Sequence, residues 1–512
     1  MTSALSAKIL LPQSVSNICA SASASIVNDL PRSLSPASSL SGTSPPKLTA
    51  ISPTTPVVAT KPKWSRQMSF QVPMYRAALE ATKTSVRYSR SLLSLIPTSV
   101  PDSIQVNHVK LPRRSDIHLD GMTAEQAQGD VDAEWIVHGP AVNAEWKRLR
   151  GLKVSKPKVG ATPSPTTTVS SSALPKQLQE TIVLYFHGGA YFMGSPATTR
   201  NLTTLFSEHS GCRVLSVGYR LAPENPYPIP LFDAISAYLA LIDPPAGSGM
   251  PRYKPEQIVF AGDSAGGGLA IALAIWIRDN GGTKWKKPAG IVALAPWLDL
   301  THSQPSFHLN TLDYIPPTVA DPSHITPRRS HYYTTDDAQN SHPYVSPLFA
   351  SDTPLDPSTH LPPTLIQLGS RERLRDEGLM FAADSFSGSP VRVEVYQDMV
   401  HIFQAFAARG EEIAVKALSR VGEFIRNVAS TATAGEVEAE GEEEGVVSHP
   451  TRKGFLYVSE GSVTEIGRDG ALEIVEEARE QLLSQSLEKE REKSGRGSLS
   501  EVEEKIQREM EF

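Results

Sequence analysis

The stretch Gln257–Ile277, "QIVFAGDSAGGGLAIALAIWI", decides how the rest of the chain is read. Ile258–Ala261 is a short apolar run of strand length, and Leu269–Ile277 is apolar on every side, as a buried helix is. Between them Gly262, Ser264 and Gly266 form G-x-S-x-G. A strand that reverses at once into a helix crowds its neighbours, so glycines flank the turn and the serine hydroxyl is thrust out at the helix N-terminus. A serine held in that way is a candidate nucleophile. It needs a base, an orienting acid and donors for a developing oxyanion.

Each of these is available where a turn of this kind requires it. In chain order the acid and then the histidine should follow the serine. Glu372 lies in "LGSRERLRDEG", just past the strand candidate "TLIQLG". His401 lies in "YQDMVHIFQAF", past "VRVEVYQ" and ahead of the last helical pattern of the core. Asp376, four residues after Glu372, is the competing acid; Glu372 is preferred because it sits at the strand's end and Asp376 falls in the next helix. Oxyanion donors must be backbone N–H groups that a substrate can approach closely, which calls for glycine. "YFHGGAYF" supplies Gly188 and Gly189 after a strand ending at His187, and Ala265 directly follows the serine.

Around these motifs the chain alternates strand and helix patterns. The strand candidates are "SIQVNHV", "AEWIVHG", "TIVLYFH", "RVLSVGY", "QIVFAG", "GIVALAP", "TLIQLG" and "VRVEVYQ". Helical patterns such as Leu231–Ile242 and Glu411–Val428 separate most of the later ones, which predicts an α/β fold with a mostly parallel, doubly wound, eight-stranded sheet.

With those blocks in place the chain resembles the hormone-sensitive-lipase family of α/β-hydrolases, carboxylesterases among them. The resemblance runs from about Ser103 to Val428 and rests on "HGGAYFMGS", "VGYRLAPENPYPIPLFDA", "GDSAGGGLA", "APWLDLT", "SPLFA", "GSRERLRDEG" and "MVHIFQAF", in the family's order. It implies Ser264 as nucleophile, His401 as base, and Gly188, Gly189 and Ala265 as oxyanion donors. It also implies a cofactor-free, metal-free serine esterase. The chain departs from the family in carrying Glu372 where many members have aspartate, and Ala190 for the third glycine. A narrower likeness to steryl-acetate hydrolases rests on the basic N-terminal helix and the long tails. An amidase or lactonase using the same triad, and a ligand receptor that has lost catalysis, remain as alternatives. In "YRLAPENPYP", Arg220 and Glu224 are expected to tie loops beneath the site.

The flanks have another character. Residues 1–63 are rich in Ser, Pro, Thr and Ala with Asp29 as their only acid, and are expected to be disordered. Residues 64–100 turn helical, as a cap. Tyr75, Leu79, Val86 and Leu93 share one face, and Arg76, Lys83, Arg87 and Arg90 share an adjoining one. That basic face fits either a cap over the core or peripheral contact with an intracellular membrane. The catalytic domain spans 101–429. Within it 151–178 reads as a flexible insertion and 301–345 as a lid or cap region. Residues 430–512 begin with "GEVEAEGEEEG" and read as an acidic, solvated tail.

Composition excludes several classes. A net charge of −6 gives no general basic footprint for nucleic acid. With only two cysteines, Cys19 and Cys212, no disulfide framework is expected and a reducing compartment is permitted; with no apolar run of membrane-spanning length, the expectation is a cytoplasmic protein. His302, His308, His324, His331 and His342 crowd the cap region without metal-ligand spacing.

Overall fold

The computed structural model describes residues 61–82, 86–93, 100–138, 180–315, 332–434, 453–459 and 462–494. Residues 1–60 of the expected tail 1–63, the insertion 151–178 and residues 316–331 of the cap region lie outside these.

All eight expected strands form: β1 (Ile104–Pro112), β2 (Asp130–His138), β3 (Ile182–Phe186), β4 (Arg213–Gly218), β5 (Ile258–Asp263), β6 (Gly290–Leu294), β7 (Thr364–Gly369) and β8 (Val391–Tyr396). They lie in the order β1-β2-β4-β3-β5-β6-β7-β8. The pairs β1/β2 and β2/β4 are antiparallel, and every pair from β4 to β8 is parallel. This is the doubly wound sheet of an α/β-hydrolase.

Strand alternation divides the core in two. Ile182, Leu184 and Phe186 of β3 face one layer, and Val183 and Tyr185 face the other. The first layer is closed by α4 (Ile229–Ile242) and α5 (Ala265–Asn280), the second by α3 (Arg200–Ser210) and α8 (Glu412–Ala434). Helix α5 is buried from Ala265 through Ile277, which accounts for a sequence apolar on all sides. Strand order reverses at β3, with β4 on one side and β5 on the other. Loops leaving the carboxyl ends of β3 and β5 therefore diverge, and the crevice between them is where open α/β sheets bind ligands.

The cap helices are α1 (Arg66–Thr82) and α2 (Val86–Leu93). Arg76 of α1 donates to the carbonyls of Asp313 and Thr311. Arg90 of α2 forks onto both Glu224 oxygens at 2.9 and 2.8 Å and also donates to the carbonyls of Ala222 and Phe192. Two of the four expected basic-face residues thus hold the cap to the catalytic domain. Arg87 is exposed, and Lys83 lies outside the described residues.

The expectation of a solvated tail after residue 430 needs correction. The sheet continues past β8 with β9 (Gly454–Val458), paired parallel to it, and then β10 (Val463–Glu465), antiparallel to β9. Phe455, Leu456 and Val458 are buried, as are Ala471, Val475 and Ala478 of the following helix α9 (Gly467–Ser494). The physical reason is an edge. Without β9, β8 would present unpaired backbone groups and one bare apolar flank. No helix among the described residues is long and apolar enough to cross a membrane.

Removing residues 435–512 therefore uncovers the β8 edge. Burial of three such side chains contributes about 1.5–3 kcal/mol each, a large share of a typical stability of roughly 5–15 kcal/mol. The truncated protein should unfold at markedly lower urea concentration and aggregate. An unchanged urea midpoint would show that β9 contributes nothing.

Candidate active site

Ser264 sits between β5 and α5 with φ 52° and ψ −123°, a region that only glycine visits at ease. Such a backbone costs roughly 1–3 kcal/mol and must be held by its surroundings. It is. The Ser264 N–H donates to the Leu294 carbonyl at 2.9 Å, and the Ser264 carbonyl accepts from Gly268 and Trp297 at 3.0 and 2.9 Å. A Cβ on Gly266 would strike the carbonyl oxygens of Phe186 and His187, and one on Gly262 would strike Gly266 itself. The glycines on either side of the serine are therefore steric necessities. The Ser264 side chain is only half-buried, unlike its neighbours.

The loop after β3 carries successive residues with positive φ: Gly189 at 117°, Ala190 at 50° and Tyr191 at 63°. Two anchors fix it. The His187 ring stacks on Tyr219 with centroids 4.3 Å apart, and Tyr219 Oη donates to the His187 carbonyl at 2.6 Å. Burial pushes the His187 imidazole down to about 4, so it stays neutral. The second anchor is Asp263, whose Oδ1 accepts from Tyr185 Oη at 2.5 Å and from the Gly188 N–H at 3.0 Å.

That last bond corrects one sequence expectation. The Gly188 N–H, expected to face an oxyanion, is already engaged by Asp263. The N–H groups of Gly189 and Ala190 have no protein acceptor among the described residues. The Ala265 N–H, in the first turn of α5, lacks an intrahelical one. Ala190 was read as a departure from the family pattern, yet its positive φ keeps the third position of the loop in the turn despite its methyl.

Glu372 and His401 follow β7 and β8, at the same carboxyl edge of the sheet as Ser264. Glu372 is fully buried, and neither of its carboxylate oxygens has a hydrogen-bond partner among the described residues; nor does His401 Nδ1. The nearest approach between them is 3.7 Å, from Nδ1 to Oε2. A buried carboxylate without a hydrogen bond costs at least about 1–3 kcal/mol, so this pair does not stabilise the fold. Burial raises the Glu372 carboxyl well above the usual range. Burial also lowers the His401 imidazole, while the carboxylates of Asp313 and Asp263 pull it back up. No hydrogen bond joins Ser264 Oγ to His401 among the described residues. Asp376, the competing acid, is committed elsewhere. It accepts from the Ser306 N–H at 2.8 Å and from Arg375 Nε at 2.6 Å, inside helix α7 (Arg375–Met380).

Among the cap-region histidines, His302 is stacked between Trp297 and Phe307, and burial lowers it to about 3. His308 bonds the His302 carbonyl, His342 packs beside Tyr227, and His324 and His331 lie outside the described residues. Arg220 forks onto Asp233, and Glu224 takes Arg90 as described. Sequence reasoning missed two residues here. Asp263 stood in plain view inside "GDSAG", but only its side-chain direction reveals that it ties the loop after β3 to the elbow. Asp313 carried no motif at all.

Residues 183–405 match the family described as the alpha/beta hydrolase fold. The chain is 34% identical over 245 residues to an esterase of Acinetobacter venetianus, covering 48% of this chain and 74% of that one. It is 35% identical over 222 residues to an acetyl-hydrolase of Streptomyces hygroscopicus, covering 43% and 67% respectively. Among solved structures, an esterase from the bacterial hormone-sensitive lipase family superposes with a TM-score of 0.51 at 27% identity, over 72% of this chain and 99% of that chain. The chain belongs to the α/β-hydrolase-fold family, on its hormone-sensitive-lipase branch. Its activity is carboxylic ester hydrolysis.

The steric argument at the elbow can be tested directly. Gly266→Ala should destabilise by about 1–3 kcal/mol or more through overpacking, lowering the urea midpoint and turnover together. A variant with the wild-type midpoint and wild-type turnover would contradict it.

Proposed function

We propose that ester hydrolysis here runs through Ser264, His401 and Glu372 and an acyl-enzyme. The observation that carries this reading is the buried Glu372–His401 pair. Three of its polar atoms have no hydrogen-bond partner among the described residues, at the same carboxyl edge of the sheet as the strained Ser264. Ser264 Oγ attacks the ester carbonyl as His401 Nε2 takes its proton. Glu372 then approaches Nδ1–H and stabilises the imidazolium, which a shortening from 3.7 Å to hydrogen-bond length would accomplish. The oxyanion is received by the N–H groups of Gly189, Ala190 and Ala265. His401 returns the proton to the leaving alcohol. Water, deprotonated by the same imidazole, then releases the acid.

The substrate we favour is an ester of a short acyl group, acetyl above all, with an apolar alcohol. Aromatic rings gather on the His401 side of the site. Tyr314 stands 5.9 Å from His401, and Tyr75 packs at 6.0 Å from Tyr314 and 5.8 Å from Phe406. Short acyl specificity accords with the acetyl-hydrolase relative. Membrane docking through the basic helix face is the weaker reading, because Arg76 and Arg90 bind carbonyls and Glu224 within the protein. The amidase, lactonase and receptor readings have no observation of their own in their favour.

Ser264→Ala should abolish turnover of p-nitrophenyl acetate, with a loss on the order of 10⁴-fold or more in kcat and an unchanged melting temperature. Retained turnover would mean that another nucleophile acts. Glu372→Gln and Asp376→Asn separate the two acids. The first should lower kcat about 10²-fold or more while leaving stability near wild type. The second should lower the melting temperature, because it breaks buried bonds to Ser306 and Arg375, with kcat largely kept. The reverse pattern would move the acid to Asp376.

A further inference from the structure

Asp313 lies in the segment that follows the short helix α6 (Pro305–Leu309), between the cap and the catalytic loops, with 1% of its surface exposed. Its carboxylate holds three backbone N–H groups. Oδ1 accepts from His401 at 3.1 Å and from Tyr314 at 2.8 Å, and Oδ2 accepts from Arg373 at 2.8 Å. Arg373 immediately follows Glu372. One buried carboxylate therefore ties the loop that presents Glu372 to the loop that presents His401. Nothing in the described structure joins those two side chains by a hydrogen bond. Asn310 reinforces the arrangement, its Nδ2 donating to the Glu372 carbonyl at 2.6 Å. On the cap side, Arg76 of α1 donates to the Asp313 carbonyl, so the same residue is gripped from both directions.

We infer that Asp313 is a positioning residue for the hydrolytic reaction: its carboxylate sets the spacing of the Glu372 and His401 loops and couples that spacing to the cap through Arg76. The inference rests on the triad reading proposed above. Geometry alone gives Asp313 its bridging place, and electrostatics adds a second consequence. The groups facing His401 are Glu372 from the loop after β7, Asp263 from the end of β5, Asp313 and Tyr314 from the cap-region segment, and Tyr75 of α1 behind Tyr314. Among the neighbouring cations, Arg373 donates to the carbonyls of Phe307 and Ile315, Arg76 to those of Asp313 and Thr311, and Arg375 to Asp376 while acting on Glu372. Negative charge on Asp313 favours the imidazolium form of His401. Removing that charge lowers the histidine's pKa, so the acidic limb of kcat/KM should move to lower pH. The imidazolium formed during acylation is then less stabilised, and kcat should fall.

The test is Asp313→Asn in the full-length protein, assayed with p-nitrophenyl acetate across pH and accompanied by a melting curve. An amide of the same shape keeps one acceptor oxygen but loses the charge and one of the two N–H-accepting positions. We expect kcat to fall about 10- to 100-fold with KM changed less than about threefold, and the acidic limb to shift down by roughly half a unit or more. A limb that coincides with wild type, with activity falling only in proportion to folded protein, would reduce Asp313 to a structural residue. Should the variant fail to fold, Arg76→Gln carries the test, since it loosens the cap's hold while leaving the carboxylate in place. It should lower kcat severalfold with the acidic limb unmoved, and unaltered kcat would overturn the coupling. Failure of the triad reading is a separate outcome, recognised by Ser264→Ala retaining turnover.

Discussion

One residue, Ser264, must both end a strand and begin a helix, and the rest of the molecule is arranged to permit it. With β5 finishing at Asp263 and α5 starting at Ala265, its backbone is forced to positive φ. The turn can exist only if the β3 carbonyls approach α5 without an intervening side chain, which dictates Gly266. It can persist only if β6 and the loop after it supply bonds to both the N–H and the carbonyl of Ser264. Those requirements place the serine over the point where the strand order reverses, beside the loop that leaves β3. A position chosen by strand sterics is thereby also the position at which two loops diverge and a substrate can be received.

Charge is distributed around that turn with similar economy. Asp263 precedes the serine and fastens the loop after β3 by taking the Gly188 N–H, while the next two N–H groups have no protein acceptor among the described residues. Asp313 performs the matching task on the other side, holding the loops of Glu372 and His401 by their backbones. The Glu372 carboxylate has no hydrogen-bond partner among the described residues, and His401 Nδ1 stands 3.7 Å from it. Two hydrogen-bonded carboxylates therefore frame one that is not. The cap helices close this frame from outside, with Arg90 bonded to the loop after β3 and Arg76 to the Asp313 segment that holds the His401 loop.

How much of this could be read from the sequence depended on how local its cause was. The eight strands were legible because each is a short β-branched or aromatic run bounded by turn residues. The elbow was legible because its steric rule is written in five consecutive positions. Glu372 and His401 were placed by chain order relative to two strands, and the structure brings them to 3.7 Å. What stayed hidden depended on direction or on distant partners. No spacing reveals that the Gly188 N–H turns toward Asp263 while that of Ala190 does not. "GFLYV" is as apolar as "GIVAL", but it stands alone in a charged neighbourhood after the acidic run, and what makes it β9 is the distant edge of β8. Arg76 and Arg90 looked like a free basic face for the same reason: their acceptors lie between about 100 and 240 positions away along the chain.

The account stands or falls on Ser264 being an activated nucleophile. Peptide mapping by mass spectrometry after treatment with a fluorophosphonate tests that most directly, because the reagent captures only serines whose hydroxyl is both exposed and deprotonated by a neighbour. The account predicts a single adduct, on the peptide containing Ser264. Labelling should be slowed by excess p-nitrophenyl acetate and abolished by His401→Ala. An adduct on another residue, or a protein that turns over esters while Ser264 remains unlabelled, would contradict it.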